Sequence, residues 1–289
     1  MSARSETSAQ RLSTPSSDAS RLAYDRTGQG EPLVLLHGQG LSRRSWDPVI
    51  TELSAKRDVI AVDLPGHGDS PRQPKGYGNA PADLARAVAD LLDELGLQSV
   101  HVAGNSTGGW AALELGRQQR ARTVTVLSPA GLWRGKAPRY VRAAMRQTRL
   151  NARIVRRVAP NAPRTRLARA LFMATASGHP FKVPYEPVHR AVHDMATAPG
   201  FRETLRAMEV RNFRDGAAIQ VPVTIAFGSR DRVLLPLLAR RRAELPEQAR
   251  WQKLPGCGHI PMFDDPGAVA ALLIQGSQRG ATNLESIPS

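Results

Sequence analysis

The sequence predicts an α/β protein with a mostly parallel central sheet, helices on both faces and an inserted helical segment. Short apolar runs alternate with segments whose apolar residues recur at helical spacing, the order expected when helices connect parallel strands. This alternation stops for residues 132–219, which carry mostly helical patterns broken by prolines. A chain of 289 residues that is 41% hydrophobic is long enough for one large domain with such an insertion.

The first half of the chain supplies most of the predicted sheet. The stretch "RLAYDRTGQG" followed by "EPLVLLHG" is typical of a hairpin that enters the sheet, with Gly28 and Gly30 in its turn. The run "RDVIAVDLPGHG" predicts a buried strand that ends in a Pro/Gly loop. "ADLARAVADLLDELG" has apolar residues at helical spacing, and Gly96 ends this helix. A strand in "SVHVAGNS", a helix in "GGWAALELGRQQ" and a strand in "RTVTVLSPAG" follow.

The second half returns to the sheet after the insertion. Strands are predicted in "VPVTIAFGSRD" and "ARWQKLPGCGH", and a closing helix in "DPGAVAALLIQG". The predicted organisation is therefore a core of 21–131 and 220–276 with a helical cap at 132–219. Residues 1–20 are rich in Ser, Thr and Arg and poor in large apolar side chains, so they predict a disordered tail. Residues 277–289 predict a polar tail.

Composition restricts location and partners. The formal net charge is +15, but 18 Lys and Arg against 5 Asp and Glu fall between Leu132 and Ile219, so the rest of the chain is close to neutral. No nucleic-acid-binding motif accompanies these arginines, so we expect no nucleic-acid partner. The single cysteine, Cys257, excludes an internal disulfide, and no run of about 18 apolar residues predicts a membrane span. We expect a cytoplasmic protein that acts on a small molecule, whose oligomeric state the sequence leaves open.

The strongest chemical signal is "HVAGNSTGGWAALEL" at 101–115. Its segment Gly104-Asn105-Ser106-Thr107-Gly108 fits the G-x-S-x-G nucleophile elbow, in which a serine sits on a strained turn from strand to helix and needs small neighbours. The five-residue pattern alone arises by chance. Here a strand-like run precedes it and a helix-like run follows it, as the motif requires. Ser106 is therefore the candidate nucleophile.

A serine needs a base and a carboxylate that orients the base. His259, in "GCGHIP", follows a late strand through a Gly-rich loop, and Asp231, in "AFGSRDRV", follows the preceding strand. Singly these would be a loop histidine and a turn or capping aspartate. Because the carboxyl ends of parallel strands meet at one edge of the sheet, the three groups together predict a catalytic triad.

The early loop His37-Gly38-Gln39-Gly40 supplies the remaining part of the predicted site. Negative charge on the reacting carbonyl oxygen needs two backbone N–H donors, and we assign these to Gln39 and Thr107. The ring of His37 is expected to buttress the loop. The candidate substrate contacts are His37, Gly38, Trp133 and Phe172.

Competing motifs are incomplete. "GQGLSR" begins like a dinucleotide fingerprint, but Arg43 stands where the third glycine belongs, and no P-loop is present. His189 and His193 share a helical face, but no glutamate follows the first histidine and no third ligand is evident. We therefore expect no metal and no bound nucleotide.

The chain resembles the α/β-hydrolase family. The motifs "LLHGQG", "DLPGHGDS", "GNSTGGW", "GSRDRV" and "GCGHIPMFDDP" stand in family order over residues 21 to about 276. This resemblance implies a triad of Ser106, His259 and Asp231, a cofactor-free site and a helical cap after the sixth strand of the sheet. A serine at position 106 is similar to that of esterases, lactonases, thioesterases, carbon-carbon bond hydrolases and cofactor-free haloperoxidase-like members of the family. Dehalogenases and epoxide hydrolases place a carboxylate there, so the resemblance disfavours them.

The predicted cap carries 12 basic residues and no acidic one between 132 and 169. Its arginines at steps of three and four lie on one helical face: Arg139, Arg142, Arg146, Arg149, Arg153 and Arg156. Such a row is either a solvated face or a surface for something anionic, namely an acidic carrier protein, a carboxylate-bearing substrate or a lipid surface.

The predicted function is that of a serine hydrolase acting on a small to medium carboxylic ester, thioester, lactone or carbon-carbon bond. "GNSTGG" is similar to the "GNSMGG" of carbon-carbon hydrolases of ring-cleavage products, although Ile260-Pro261 replaces the aromatic or polar residue that follows the histidine there. The rival hypothesis keeps the fold without hydrolysis, as a biosynthetic cyclase or lyase or as a ligand-binding protein.

Overall fold

The computed structural model describes residues 22–74 and 76–279. The expected tail at 1–20 and most of the expected tail at 277–289 lie outside the described residues. Within them, a seven-stranded, mostly parallel sheet carries helices on both faces, which confirms the predicted fold class.

The strands run in the spatial order β1-β3-β2-β4-β5-β6-β7, and β1 alone is antiparallel to its neighbour. They are β1 (Tyr24–Thr27), β2 (Pro32–Leu36), β3 (Asp58–Val62), β4 (Val100–Asn105), β5 (Ala121–Leu127), β6 (Val223–Gly228) and β7 (Arg250–Leu254). All residues of β3, β4 and β6 are buried. Continuous apolar runs form these strands because helices cover both faces of a parallel sheet.

The predicted hairpin between the first two strands is wrong. β1 pairs with β3, and Tyr24 lies opposite Val62, while β2 lies on the other side of β3. Gly28 and Gly30 do form the intervening turn, with φ angles of 91° and 103°. The turn therefore carries the chain across β3 instead of folding it back on β1. Local turn chemistry does not determine which strand β1 pairs with.

The helices of the described chain are bounded as follows: α1 (Asp47–Ser54), α2 (Pro81–Glu94), α3 (Thr107–Arg117), α4 (Arg139–Val158), α5 (Arg166–Met173), α6 (Tyr185–Thr197), α7 (Phe201–Glu209), α8 (Pro236–Ala239) and α9 (Pro266–Gln278). Helices α2 and α3 pack against each other, as do α1 and α9. Pro266 at the first position and Asp265, which accepts from the Ala268 N–H at 2.9 Å, start α9. This helix includes buried Ser277, which the sequence assigned to the polar tail.

Helices α4 to α7 all lie between β5 and β6 and form the inserted segment. The insertion follows the fifth strand of the described chain and not a sixth, because a single antiparallel strand precedes β2 there. Helices α4 and α6 pack together, and the indole of Trp133 donates to the Arg211 carbonyl at 2.7 Å. Across 22–74 and 76–279, every helix is too short or too polar to cross a lipid bilayer.

Candidate active site

Ser106 occupies the sharp turn between β4 and α3. Its backbone angles are φ 54° and ψ −114°, in a region that residues with a side chain rarely adopt. The surrounding main chain holds this strained conformation in place. The Ser106 N–H donates to the Leu127 carbonyl at 3.0 Å, and its carbonyl accepts from Trp110 at 3.1 Å and Ala130 at 2.9 Å. The turn directs the serine to the carboxyl edge of the sheet.

Close main-chain contacts explain the glycines of this elbow. A Cβ on Gly104 would lie 2.2 Å from the Gly108 carbonyl oxygen, and a Cβ on Gly108 would lie 2.2 Å from the Leu36 carbonyl oxygen. Neither position has room for a side chain. The glycines therefore allow α3 to start directly against β2 and β4.

His259 and Asp231 form the second part of the site. The His259 Nδ1 lies 3.1 Å from the Asp231 Oδ2, and both residues are buried. Asp231 follows β6 and His259 follows β7, so neighbouring strands deliver them to one edge. A carboxylate bonded to Nδ1 selects the tautomer whose Nε2 accepts a proton.

Asp231 is held as an ionised carboxylate. Its Oδ1 accepts from the N–H groups of Val233 and Leu234, each at 2.9 Å. Burial by itself raises the pKa of Asp231, but His259 and the Leu234 N–H outweigh it, and the net pKa lies below the usual value. The Arg240 Nη2 also lies 3.8 Å from the Asp231 Oδ2. Sequence reasoning did not identify this guanidinium group.

Ser106 and His259 line the same cavity, of about 70 Å³. Gly38, Gln39 and Phe172 line it as well. The rest of its wall is mainly apolar and includes Leu41, Met145, Met173, Met195 and Ile260. A second cavity of about 30 Å³ shares Ser106 and Gln39 with the first and adds Thr107 and Trp133. The structure therefore brings the predicted nucleophile, base and loop residues together, with the candidate substrate contacts Gly38 and Phe172 in the larger cavity and Trp133 in the smaller one.

The two predicted oxyanion donors border this space. Thr107 is the first residue of α3, and in the described part of the chain no backbone or side-chain group accepts a hydrogen bond from its N–H or from that of Gln39. Free N–H groups at a helix start suit a developing negative charge. The Gln39 side chain itself is anchored, since its Nε2 donates to the Phe201 carbonyl at 2.8 Å. That bond ties the loop to the inserted helices.

His37 lies behind the loop and lines neither of these two cavities. Its Nδ1 lies 2.8 Å from the Gly38 carbonyl, and its Nε2 accepts from the Leu64 N–H at 3.0 Å. Both ring nitrogens are engaged and the side chain is fully buried, so this ring braces the loop from behind. This placement does not support the substrate contact that the sequence suggested for His37.

Sequence reasoning did not identify two polar residues near the predicted triad. Asn105, fully buried, donates from Nδ2 to the His259 carbonyl at 2.9 Å and to the Leu127 carbonyl at 3.0 Å. Asp264 accepts from the Gly258 N–H at 2.7 Å and from the Ser177 hydroxyl at 2.5 Å. The first joins the elbow to the histidine loop, and the second joins that loop to the insertion. For Asn105, the available signal in the sequence was its position directly before Ser106.

The histidine pair on α6 has an ordinary environment. The His189 ring packs against the Tyr185 ring, with centroids 5.2 Å apart. Within 22–74 and 76–279, no group of three or more His, Cys, Asp or Glu side chains is placed to hold a metal ion.

Comparison with known proteins identifies the family of this chain. The family model described as the alpha/beta hydrolase family matches residues 33–272. The chain is 33% identical over 202 residues to epoxide hydrolase EphH of Mycobacterium tuberculosis, a match that covers 66% of this chain and 92% of that protein. It is also 39% identical over 98 residues to a pimeloyl-[acyl-carrier protein] methyl ester esterase of Legionella pneumophila, covering 34% of this chain and 37% of that protein.

Solved structures show the same architecture. The naproxen esterase of Bacillus subtilis superposes with a TM-score of 0.72 at 20% identity, covering 92% of this chain and 91% of that one. Carboxylesterase CesB of Bacillus subtilis gives a TM-score of 0.71 at 21% identity, covering 93% and 91%. At these identities the likeness is one of fold. With the family model matched over most of its length, the chain belongs to the alpha/beta hydrolase family.

Proposed function

We propose that this protein is a serine hydrolase that cleaves a short carboxylic ester or a related acyl compound such as a thioester or lactone. The observation that carries the proposal is the 3.1 Å contact between His259 Nδ1 and Asp231 Oδ2 at a cavity that Ser106 also lines. A nucleophile on an elbow, an oriented base and two free N–H donors are the parts that acyl transfer requires.

In the proposed reaction, the Ser106 Oγ attacks the substrate carbonyl carbon while His259 Nε2 takes the hydroxyl proton. The N–H groups of Gln39 and Thr107 bind the resulting oxyanion, and each such donor lowers the barrier by about 3 kcal/mol in related sites. His259 then returns the proton to the leaving group. Water, activated by the same imidazole, releases the acid and restores Ser106.

Epoxide opening fits these residues less well, although one relative is named as an epoxide hydrolase. A carboxylate nucleophile that opens an epoxide forms an ester, and water can attack the carbonyl of that ester. A serine that opened an epoxide would form an ether, which has no carbonyl for water to attack. Because Ser106 occupies the elbow, the proposal is acyl transfer.

A fluorophosphonate probe tests the proposal directly. Peptide mapping should place the label on Ser106, and Ser106→Ala should abolish both labelling and turnover of p-nitrophenyl acetate. Ser54→Ala, at the end of α1 and remote from the cavities, is the matched control and should retain both. Circular dichroism confirms that each variant is folded. Full ester turnover by Ser106→Ala, or turnover of styrene oxide in place of the ester, would overturn the proposal.

A further inference from the structure

A groove of about 400 Å³ lies on the inserted segment, between α4 and α7. Its lining is dominated by arginine. The charged residues that line it are Arg146, Arg149, Arg153, Arg202, Arg206 and Glu209. Three of these arginines belong to the row predicted on α4, and α7 supplies the other two. The row is therefore one wall of a concave site and not simply a solvated face.

The carboxylates near this groove leave most of the positive charge unmatched. Glu209 is 3.8 Å from the Arg142 Nη1 and also pairs with Arg146. Glu203 is near enough to Arg149 to raise the pKa of its guanidinium slightly, but among the described residues Glu203 forms no ion pair within 4.0 Å. Like charges held together destabilise a fold unless something anionic lies between them.

Arg149 is the central observation. Its side chain is buried, with the residue only 7% exposed, and the guanidinium packs 4.5 Å from the centre of the Phe201 ring. Its Nη2 donates to the Ala198 carbonyl at 2.9 Å, whereas its Nε and Nη1 have no hydrogen-bond partner among the described residues. Burial, then Arg153 and Arg202, lower the pKa of Arg149 to about 10. Burying a guanidinium with two unpaired donors is costly, and an anion in the groove offsets part of that cost through its charge, while the Nε and Nη1 atoms themselves are shielded from solvent.

The number of donors indicates the class of ligand. Arginine forks bind carboxylates and phosphates in pairs of parallel hydrogen bonds. A carboxylate has two oxygens and one charge, which two guanidinium groups satisfy. A phosphate ester has three free oxygens and up to two charges, and a diphosphate has more. Arg149, Arg153, Arg202 and Arg206 together match the larger anions.

We propose that the groove between α4 and α7 binds a phosphate ester or diphosphate, with Arg149 as the buried anchor. The groove is distinct from the triad cavity but adjoins the smaller cavity, because Leu205 and Glu209 line both. The phosphate belongs either to a soluble small molecule or to a lipid headgroup. This inference does not depend on the chemistry of Ser106, so Ser106→Ala should bind the same anions as the native protein.

Isothermal titration calorimetry on the full chain at low salt tests the site with inorganic pyrophosphate. The double variant Arg202→Gln/Arg206→Gln removes two exposed groove arginines and should weaken binding about 100-fold, at about tenfold for each charged hydrogen-bonding group. Arg149→Gln should weaken it at least as much, with circular dichroism to show that it is folded. The matched control Arg139→Gln/Arg156→Gln removes the same charge from α4 outside the groove lining. It should change affinity by less than about threefold.

Vesicle sedimentation distinguishes the two sources of phosphate. A lipid headgroup in the groove would be supported if the protein binds phosphatidic acid vesicles but not phosphatidylcholine vesicles, and if pyrophosphate competes with this binding. Pyrophosphate binding without vesicle binding would support a soluble phosphate ester. Equal losses in the groove and control double variants would show a general charge attraction and overturn the proposal. Absence of binding to both probes would overturn it as well.

Discussion

The side-chain amide of Asn105 donates a 2.9 Å hydrogen bond to the main-chain carbonyl of His259, 154 positions further along the chain. The same amide donates to Leu127 on the neighbouring strand at 3.0 Å. Asn105 directly precedes the elbow residue Ser106 and is fully buried. One amide group therefore sets the distance between the serine turn and the loop that carries the proposed base.

Replacing Asn105 should impair catalysis through geometry. In Asn105→Ala, the carbonyls of Leu127 and His259 lose their donor, and the histidine loop can shift relative to Ser106. Because misplacement of about 1 Å costs on the order of 100-fold in rate, we expect kcat to fall 10- to 100-fold with KM little changed. Steady-state kinetics with p-nitrophenyl acetate and the rate of fluorophosphonate labelling measure this effect.

Asn105→Asp separates positioning from simple loss of volume. An aspartate keeps the size of the side chain but, when ionised, offers no donor to either carbonyl. It should therefore impair labelling at least as strongly as Asn105→Ala. A purely structural role would instead be indicated if both variants lost the same amount of unfolding free energy and the same factor in kcat. A stabilising osmolyte would then restore kcat in both variants.

Asp231 should control the tautomer of His259. In Asp231→Asn, the amide no longer stabilises a positive imidazole, and the wrong ring nitrogen carries the proton. Substitutions of this kind in other triads lower kcat about 10⁴-fold, and we expect a similar loss here. Asp90→Asn, on the exposed face of α2, is the control and should leave kcat unchanged. Comparable kcat values for these two variants would remove Asp231 from the reaction.

The parts of this site that could be predicted are those marked by local pattern. Ser106 lies in a turn whose glycines are required by 2.2 Å approaches, and Asp231 and His259 each follow a strand, so residue type and position together predicted them as candidates. The bonds of Asn105 and Asp264 depend on loops that meet only in the folded chain. No spacing in the sequence distinguishes Asp264, which clamps the histidine loop, from Asp265, which starts α9.

In the sheet, too, local patterns predicted the strands but not their pairing. Continuous apolar runs located β2 to β6, because burial on both faces requires them. The pairing of β1 with β3 was missed, since a turn with two glycines is compatible with a hairpin and with a crossing connection. The arginine row on α4 was visible as a pattern, but its meaning depends on α7, which lies more than forty positions away and closes the groove.

The small cavity volumes predict a preference for short acyl chains. Cavities of about 70 Å³ and 30 Å³ flank Ser106, below the 300–1,000 Å³ of many ligand pockets. Activity on p-nitrophenyl esters should therefore fall from acetate to octanoate. Phe172→Ala enlarges the larger cavity and should raise the octanoate-to-acetate ratio of kcat/KM about tenfold. Phe181→Ala, an exposed phenylalanine outside that lining, should leave the ratio unchanged. A parallel change in both variants would contradict the assignment.

Two buried histidines beneath the active-site loop should make stability depend on pH. Burial, followed by nearby Arg43, lowers the pKa of His37 to about 4, and burial, followed by His37, lowers the pKa of His67 to about 3. The ring centroids are 5.5 Å apart, so two charges there would also repel each other. Both rings are therefore neutral in the folded protein at pH values where the unfolded chain, with a histidine pKa of about 6.5, already binds protons.

Stability should consequently fall as the pH decreases from about 6.5 to 4, because the unfolded state takes up protons that the folded state excludes. His37 alone should lower the free energy of unfolding by about 3 kcal/mol over this range. Urea unfolding measured at several pH values tests this sign. His67→Asn removes one buried titrating ring and should flatten the pH dependence, whereas His193→Asn, at an exposed position on α6, should reproduce the native slope. Equal slopes in all three proteins would show that these rings do not couple folding to pH.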